Sequence, residues 1–76
     1  MPHTETLESR VLAWLRTTDG AWITAQEAAY GTRPGMTWQQ ARGALDRLRK
    51  RGLVRRMRAR GGWLPMYRLL AGRDDG

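Results

Sequence analysis

The change of hydrophobic period at Gly52 constrains this chain more than any other feature of its sequence. Before it, in "TWQQARGALDRLRKRG", Trp38, Ala41, Leu45 and Leu48 recur at the spacing of one helix face. After it the spacing becomes two: Leu53, Arg55, Met57 and Ala59 alternate with Val54, Arg56, Arg58 and Arg60. Thr37 and Gln40 make a capping box that starts the helix, and Lys50 and Arg51 suit the negative end of its dipole. Gly52 closes it. Gly61-Gly62 is a two-residue hairpin signal, after which Trp63, Pro65, Tyr67 and Leu69 alternate with Leu64, Met66, Arg68 and Leu70. Pro65 has no amide hydrogen to donate, so this second strand is expected at a sheet edge or irregular near the tip.

Upstream, Thr4 or Thr6 caps a first helix that carries Glu5 and Glu8 early and Leu7, Val11, Leu12 and Leu15 on one face. "TTDG" stops it near Thr17. "AWIT" favours one short strand. Thr24 and Glu27 form a second capping box for a short helix through Ala28, Ala29 and Tyr30, which "GTRPG" ends. The expected fold class is α+β, mainly α: three helices and a C-terminal two-stranded β-hairpin in one domain over 1–76, with an ordered core about 4–70 and a tail 71–76. Trp14, Trp22 and Trp38 are expected in the core, with Met57 and Met66 as filler. Trp63 either stands exposed at the hairpin tip or packs back on Met57 or Tyr67.

The 76 residues contain no cysteine, which removes disulfides, thiolate metal sites and cysteine nucleophiles together. A chain this short houses a deep enzyme pocket only with difficulty, and a binding module is expected. "MPHTETLESR" has no basic segment followed by an apolar run, and no stretch approaches the roughly 20 apolar residues that span a bilayer. A cytoplasmic, nucleoid-associated protein without membrane contact is expected. His3 lacks companions for a metal, and Asp19, Glu27 and Asp46 lack a histidine, nucleophile or phosphate loop beside them. No enzyme activity and no cofactor are expected; Asp46 is expected to pair with Arg42 or Lys50.

Charge points to a partner. Fourteen Lys and Arg oppose seven Asp and Glu, for a net charge of +7. Arg42 to Arg60 holds nine of these bases and one acid, a net of +8, so the remainder nets −1. Thirteen of the fourteen bases are arginine, which suits bidentate contact with phosphates and bases. Charge gathered in one segment is the footprint of a polyanion binder.

The order helix, short strand, short helix, turn, longer helix and basic hairpin resembles the winged helix-turn-helix DNA-binding domains of bacterial and phage transcription regulators. The likeness is best in "TWQQARGALDRLRKRGLVRR", with Ala41, Ala44, Leu45 and Leu48 apolar and Gly52, Leu53 and Val54 stepping into the wing. The resemblance implies a recognition helix over 37–51 in the major groove of double-stranded DNA and a basic wing over 54–68 on the backbone or minor groove. Gln39, Gln40 and Arg42 then read bases, with Gly43 permitting close approach to the DNA or to a neighbouring helix. Thr37, Arg47 and Lys50 meet phosphates, Thr37 and Trp38 through their amides. Arg55, Arg56, Arg58, Arg60 and Trp63 belong to the wing. A single module binds weakly, so a homodimer or repeated sites are expected. Two other functions fit the same fold: a protein-interaction module or inhibitor that uses the basic surface, and an excisionase-like architectural or recombination factor.

Overall fold

The computed structural model describes residues 6–58, 62 and 64–70. Its elements are α1 (Leu7–Leu15), β1 (Ile23–Thr24), α2 (Ala25–Gly31), α3 (Trp38–Lys50), β2 (Val54–Arg58) and β3 (Pro65–Leu69). Each helix starts on a threonine. Thr6 caps α1, its hydroxyl accepting from the Ser9 amide at 3.0 Å. Thr24 is both the last residue of β1 and the cap of α2. Its amide donates to Glu27 Oε1 at 2.8 Å and its hydroxyl accepts from the Glu27 amide at 3.1 Å. Strand therefore passes into helix with no loop, because the extended backbone a strand needs is also the backbone of a helix cap.

At the far end of α3, Gly52 takes φ +82°. Its amide donates to Arg49 O at 2.9 Å while that of Leu53 donates to Leu48 O at 3.0 Å, the paired bonds of a Schellman ending. The chain turns straight into β2. That is the structural form of the period change at Gly52.

Val11 and Leu15 from α1, Ala28 from α2, Ala41, Ala44, Leu45 and Leu48 from α3 and Tyr67 from β3 are fully buried. Three alanines in that set let the helices approach closely, and α3 packs against both of the others. Arg10 fastens the corner between α2 and α3 onto α1, donating to Thr32 O at 2.5 Å and Pro34 O at 2.7 Å.

The hairpin is not a free two-stranded ribbon. β1 joins it to make a three-stranded antiparallel sheet in the order β1-β3-β2, with Ile23 opposite Tyr67 and Thr24 opposite Met66. β3 is consequently central rather than an edge strand. Pro65 is tolerated because it is the strand's first residue and lies beyond the end of β1, where only Arg58 of β2 faces it. The pairing of Val54 with Leu69 and Arg58 with Pro65 is the register expected of a two-residue turn at Gly61-Gly62, of which Gly61 lies outside the described residues.

The register sorts the side chains. Val54, Arg56 and Arg58 share the face of Tyr67, which packs on the helices, and Arg55 and Met57 share the opposite face with Arg68 and Met66. Met57, expected in the core, is 41 % exposed on that outer face, which no further layer covers among the described residues. Trp38, also expected in the core, is 42 % exposed. As the first residue of α3 it stands beyond the buried stripe and leans toward the hairpin. Trp14 and Trp22 are half-buried. The Trp14 indole lies directly over Gly31, where an added Cβ would run into Nε1 and Cε2 of the ring.

Gly31→Ala is therefore expected to destabilise the fold. Overpacking costs about 1–3 kcal/mol, enough to outweigh the roughly 1 kcal/mol that alanine gains over glycine in a helix. A urea titration of Gly31→Ala in the parent and in Trp14→Ala tests this. The loss should shrink or reverse once the indole is gone.

Candidate nucleic-acid interface

With Ala41, Ala44, Leu45 and Leu48 inward, α3 has one flank toward α1 and one toward the sheet, with an outer ridge between them. Among the described residues one carboxylate lies against each flank, Glu8 from α1 and Asp46 from α3 itself. On the α1 side Glu8 takes Arg47 Nε at 2.6 Å and Arg51 Nη1 at 3.2 Å, so a single acid holds two of the helix's arginines. On the sheet side Asp46 accepts from the Tyr67 hydroxyl at 3.0 Å. It is pinned to the sheet rather than paired with Arg42 or Lys50, because Tyr67 brings a buried hydroxyl that must find a partner.

This allocation decides which cations stay available. Arg42, Arg49 and Lys50 of α3 and Arg55, Arg56 and Arg58 of β2 are exposed and form no ion pair among the described residues. Arg49, Arg56 and Arg58 line one depression with Met57 and Pro65. Pro65 also borders a second, more enclosed notch of about 240 Å³, where Trp38, Leu64 and Arg42 meet the start of α2 at Thr24, Ala25 and Gln26. The two depressions adjoin at Pro65. Together they make a face with an apolar notch at the start of α3 and an arginine cluster between α3 and the hairpin.

Tyr67 reports the electrostatics beneath this face. Burial raises its pKa above the ordinary value, the hydrogen bond to Asp46 and that residue's charge raise it further, and Arg56 and Arg42 pull it down. The raised value stabilises the fold fully below pH about 10, where an unfolded tyrosine also keeps its proton. As pH climbs from there through the raised folded value, the unfolded chain binds fewer protons than the folded one and stability falls. Melting temperature should accordingly drop more steeply above pH about 10 in the parent than in Tyr67→Phe, as followed by circular dichroism.

Gln39 and Arg42 are exposed on α3, as base contact requires. Gln40 is not free to pair adenine bidentately: its Oε1 accepts from the Thr37 amide at 2.9 Å, closing the capping box. The same bond removes the Thr37 amide as a phosphate donor. Thr37 Oγ1 accepts from the Gln40 amide at 3.1 Å, leaving Thr37 its hydroxyl proton. The Trp38 amide, in the first turn, has no carbonyl one turn earlier in the helix to accept it.

A Cβ at Gly43 would meet only the Arg47 guanidinium, at 3.6 Å, so no neighbouring helix requires glycine there. Arg47 is held by Glu8 and is not a spare cation. Lys50, Arg55, Arg56 and Arg58 are exposed. Arg60 and Trp63 lie outside the described residues. Sequence reasoning missed Arg49, although it stands seven residues after Arg42 and thus two turns along the same face. It also missed the notch, whose walls come from α2, α3 and the hairpin.

Among the described residues no cluster of His, Cys, Asp or Glu could hold a metal ion, and no helix is long and apolar enough to cross a membrane. No protein-family model, no curated protein and no solved structure matches the chain.

Proposed function

We propose that this chain is a winged helix-turn-helix protein that binds double-stranded DNA sequence-specifically, as a small transcription regulator of bacterial or phage type. One observation carries the reading. The carboxylates against the two flanks of α3 are spent on Arg47, Arg51 and Tyr67, while Arg42, Arg49, Arg56 and Arg58 stay exposed and form no ion pair among the described residues. Three helices and a small antiparallel sheet are compatible with the winged arrangement, with β1 added to the wing.

In this reading α3 enters the major groove by its N-terminal half. Gln39 and Arg42 have the donors and acceptors for adenine and guanine edges, and the apolar wall of Trp38, Leu64 and Pro65 suits a thymine methyl. Arg49, Lys50, Arg56 and Arg58 meet phosphates on either side, fixing register without reading sequence.

Selection from a randomised duplex pool, then titration of the winner against a scrambled duplex at two salt concentrations, tests the proposal. An enriched motif bound with affinity that falls steeply in salt supports it. Weak, salt-sensitive binding without enrichment removes sequence reading and leaves the architectural alternative. Absence of binding removes DNA.

A further inference from the structure

The notch between the start of α3 and the hairpin differs in kind from the arginine cluster it adjoins. Trp38, Leu64 and Pro65 give it an apolar wall, Gln26 stands on the α2 side, and Arg42 is the one charged group among its described lining residues. Trp38 and Leu64 are two of the four large hydrophobics left exposed among the described residues, and both gather at this one place. An apolar group that enters the notch removes their surface from water.

The surroundings select that group. A phosphate would lose hydration against an apolar wall for the sake of one cation, and the depression of Arg49, Arg56 and Arg58 suits it better. The two depressions share Pro65, so a duplex seated on the arginines passes over the notch as well. Of the groups that a base pair shows in the major groove, the pyrimidine 5-methyl is the apolar one. Thymine bears it, and so does a cytosine methylated at C5.

Arg42 follows Trp38 by four residues, one turn along the same side of α3. A turn rises about 5.4 Å and stacked bases lie about 3.4 Å apart, so a methyl against Trp38 brings the neighbouring base pair within reach of Arg42. Arginine bonds guanine O6 and N7 bidentately, and Arg42 is exposed with no ion pair among the described residues.

We infer that the notch reads the 5-methyl group of a pyrimidine, thymine or 5-methylcytosine, in the base pair next to a guanine held by Arg42. The inference rests on the DNA reading above and adds to it a sensitivity to cytosine methylation.

The selected duplex should carry thymine beside a guanine. Titrations of the parent then compare dT, dU, dC and 5-methyl-dC at that thymine position. Burial of one methyl predicts dT bound about three- to tenfold tighter than dU, and 5-methyl-dC tighter than dC by a similar factor. The change is made on the DNA, so a loss of folding cannot imitate it. Trp38→Ala should bring both ratios close to one and keep the preference for guanine. Replacing that guanine by 7-deazaguanine, which lacks N7, should weaken the parent and leave Arg42→Ala unaffected. A motif without thymine beside guanine, dU bound like dT, 5-methyl-dC bound like dC, or methyl ratios unchanged in Trp38→Ala each overturn the inference and leave sequence-specific DNA binding standing. A pool without enrichment removes the DNA reading, and the inference with it.

Discussion

Tyr67→Ala is expected to leave the chain largely unfolded under conditions in which the parent is folded. Tyr67 is the largest fully buried side chain and sits on the central strand, opposite Ile23 of β1 and Arg56 of β2. Removing a buried aromatic ring costs about 3–5 kcal/mol. A chain of 76 residues has roughly 4–11 kcal/mol in total, at about 0.05–0.15 kcal/mol per residue. Among the described residues five of the twelve buried hydrophobics are alanines, which places this core toward the lower end.

Tyr67→Phe separates the ring from the hydroxyl. Asp46 is only half-buried and can turn to water when its donor is removed, so about 1 kcal/mol is expected, or a fall of roughly 4–8 °C in melting temperature. Thermal melts of both variants by circular dichroism make the comparison. A melting temperature for Tyr67→Ala within a few degrees of the parent would remove Tyr67 from its place as the pin between hairpin and α3.

The same residue shows where sequence stops informing. The alternation of Tyr67 with its neighbours is legible, and so are both capping boxes, the helical stripe of α3 and the glycine that ends it, because each is written within a few adjacent positions. What Tyr67 touches is not. Its partner strand β1 is two residues long, too short for a period, and lies far back in the chain. Pro65 favours an edge strand because it lacks an amide hydrogen, but nothing near it in sequence reveals that β1 ends one residue short of it. Trp38 fits the helical stripe by spacing and still projects outward, since spacing fixes a direction around the helix and not how far the neighbouring helices extend. Arg47 and Arg49 look alike in the sequence. One is quenched by Glu8, 39 residues away, and the other is not. Distant carboxylates therefore decide which of many arginines are available, and local reading sees the arginines without their partners.

That difference yields the second large effect, in the proposed DNA binding. Removing one phosphate-binding arginine should lower the slope of log affinity against log salt by about 0.9, so Arg49→Gln, Arg56→Gln and Arg58→Gln together should lower it by roughly 2.7 and weaken all sequences alike. Arg47→Gln with Arg51→Gln should change the slope far less per arginine removed, because Glu8 already balances that flank and is itself uncovered when they go. Glu8→Gln should act in the opposite sense, releasing two cations and steepening the salt dependence. Arg42→Ala differs in kind: it should cost about 1–3 kcal/mol on the selected site and flatten preference at one base pair. Titrations of specific and scrambled duplexes at several salt concentrations separate the four cases. If Arg47 and Arg51 lower the slope as much per residue as the hairpin-side arginines do, the division of α3 into a neutralised flank and a DNA-facing flank is wrong. The interface then extends across both flanks, and Glu8 must let go of its arginines when DNA arrives.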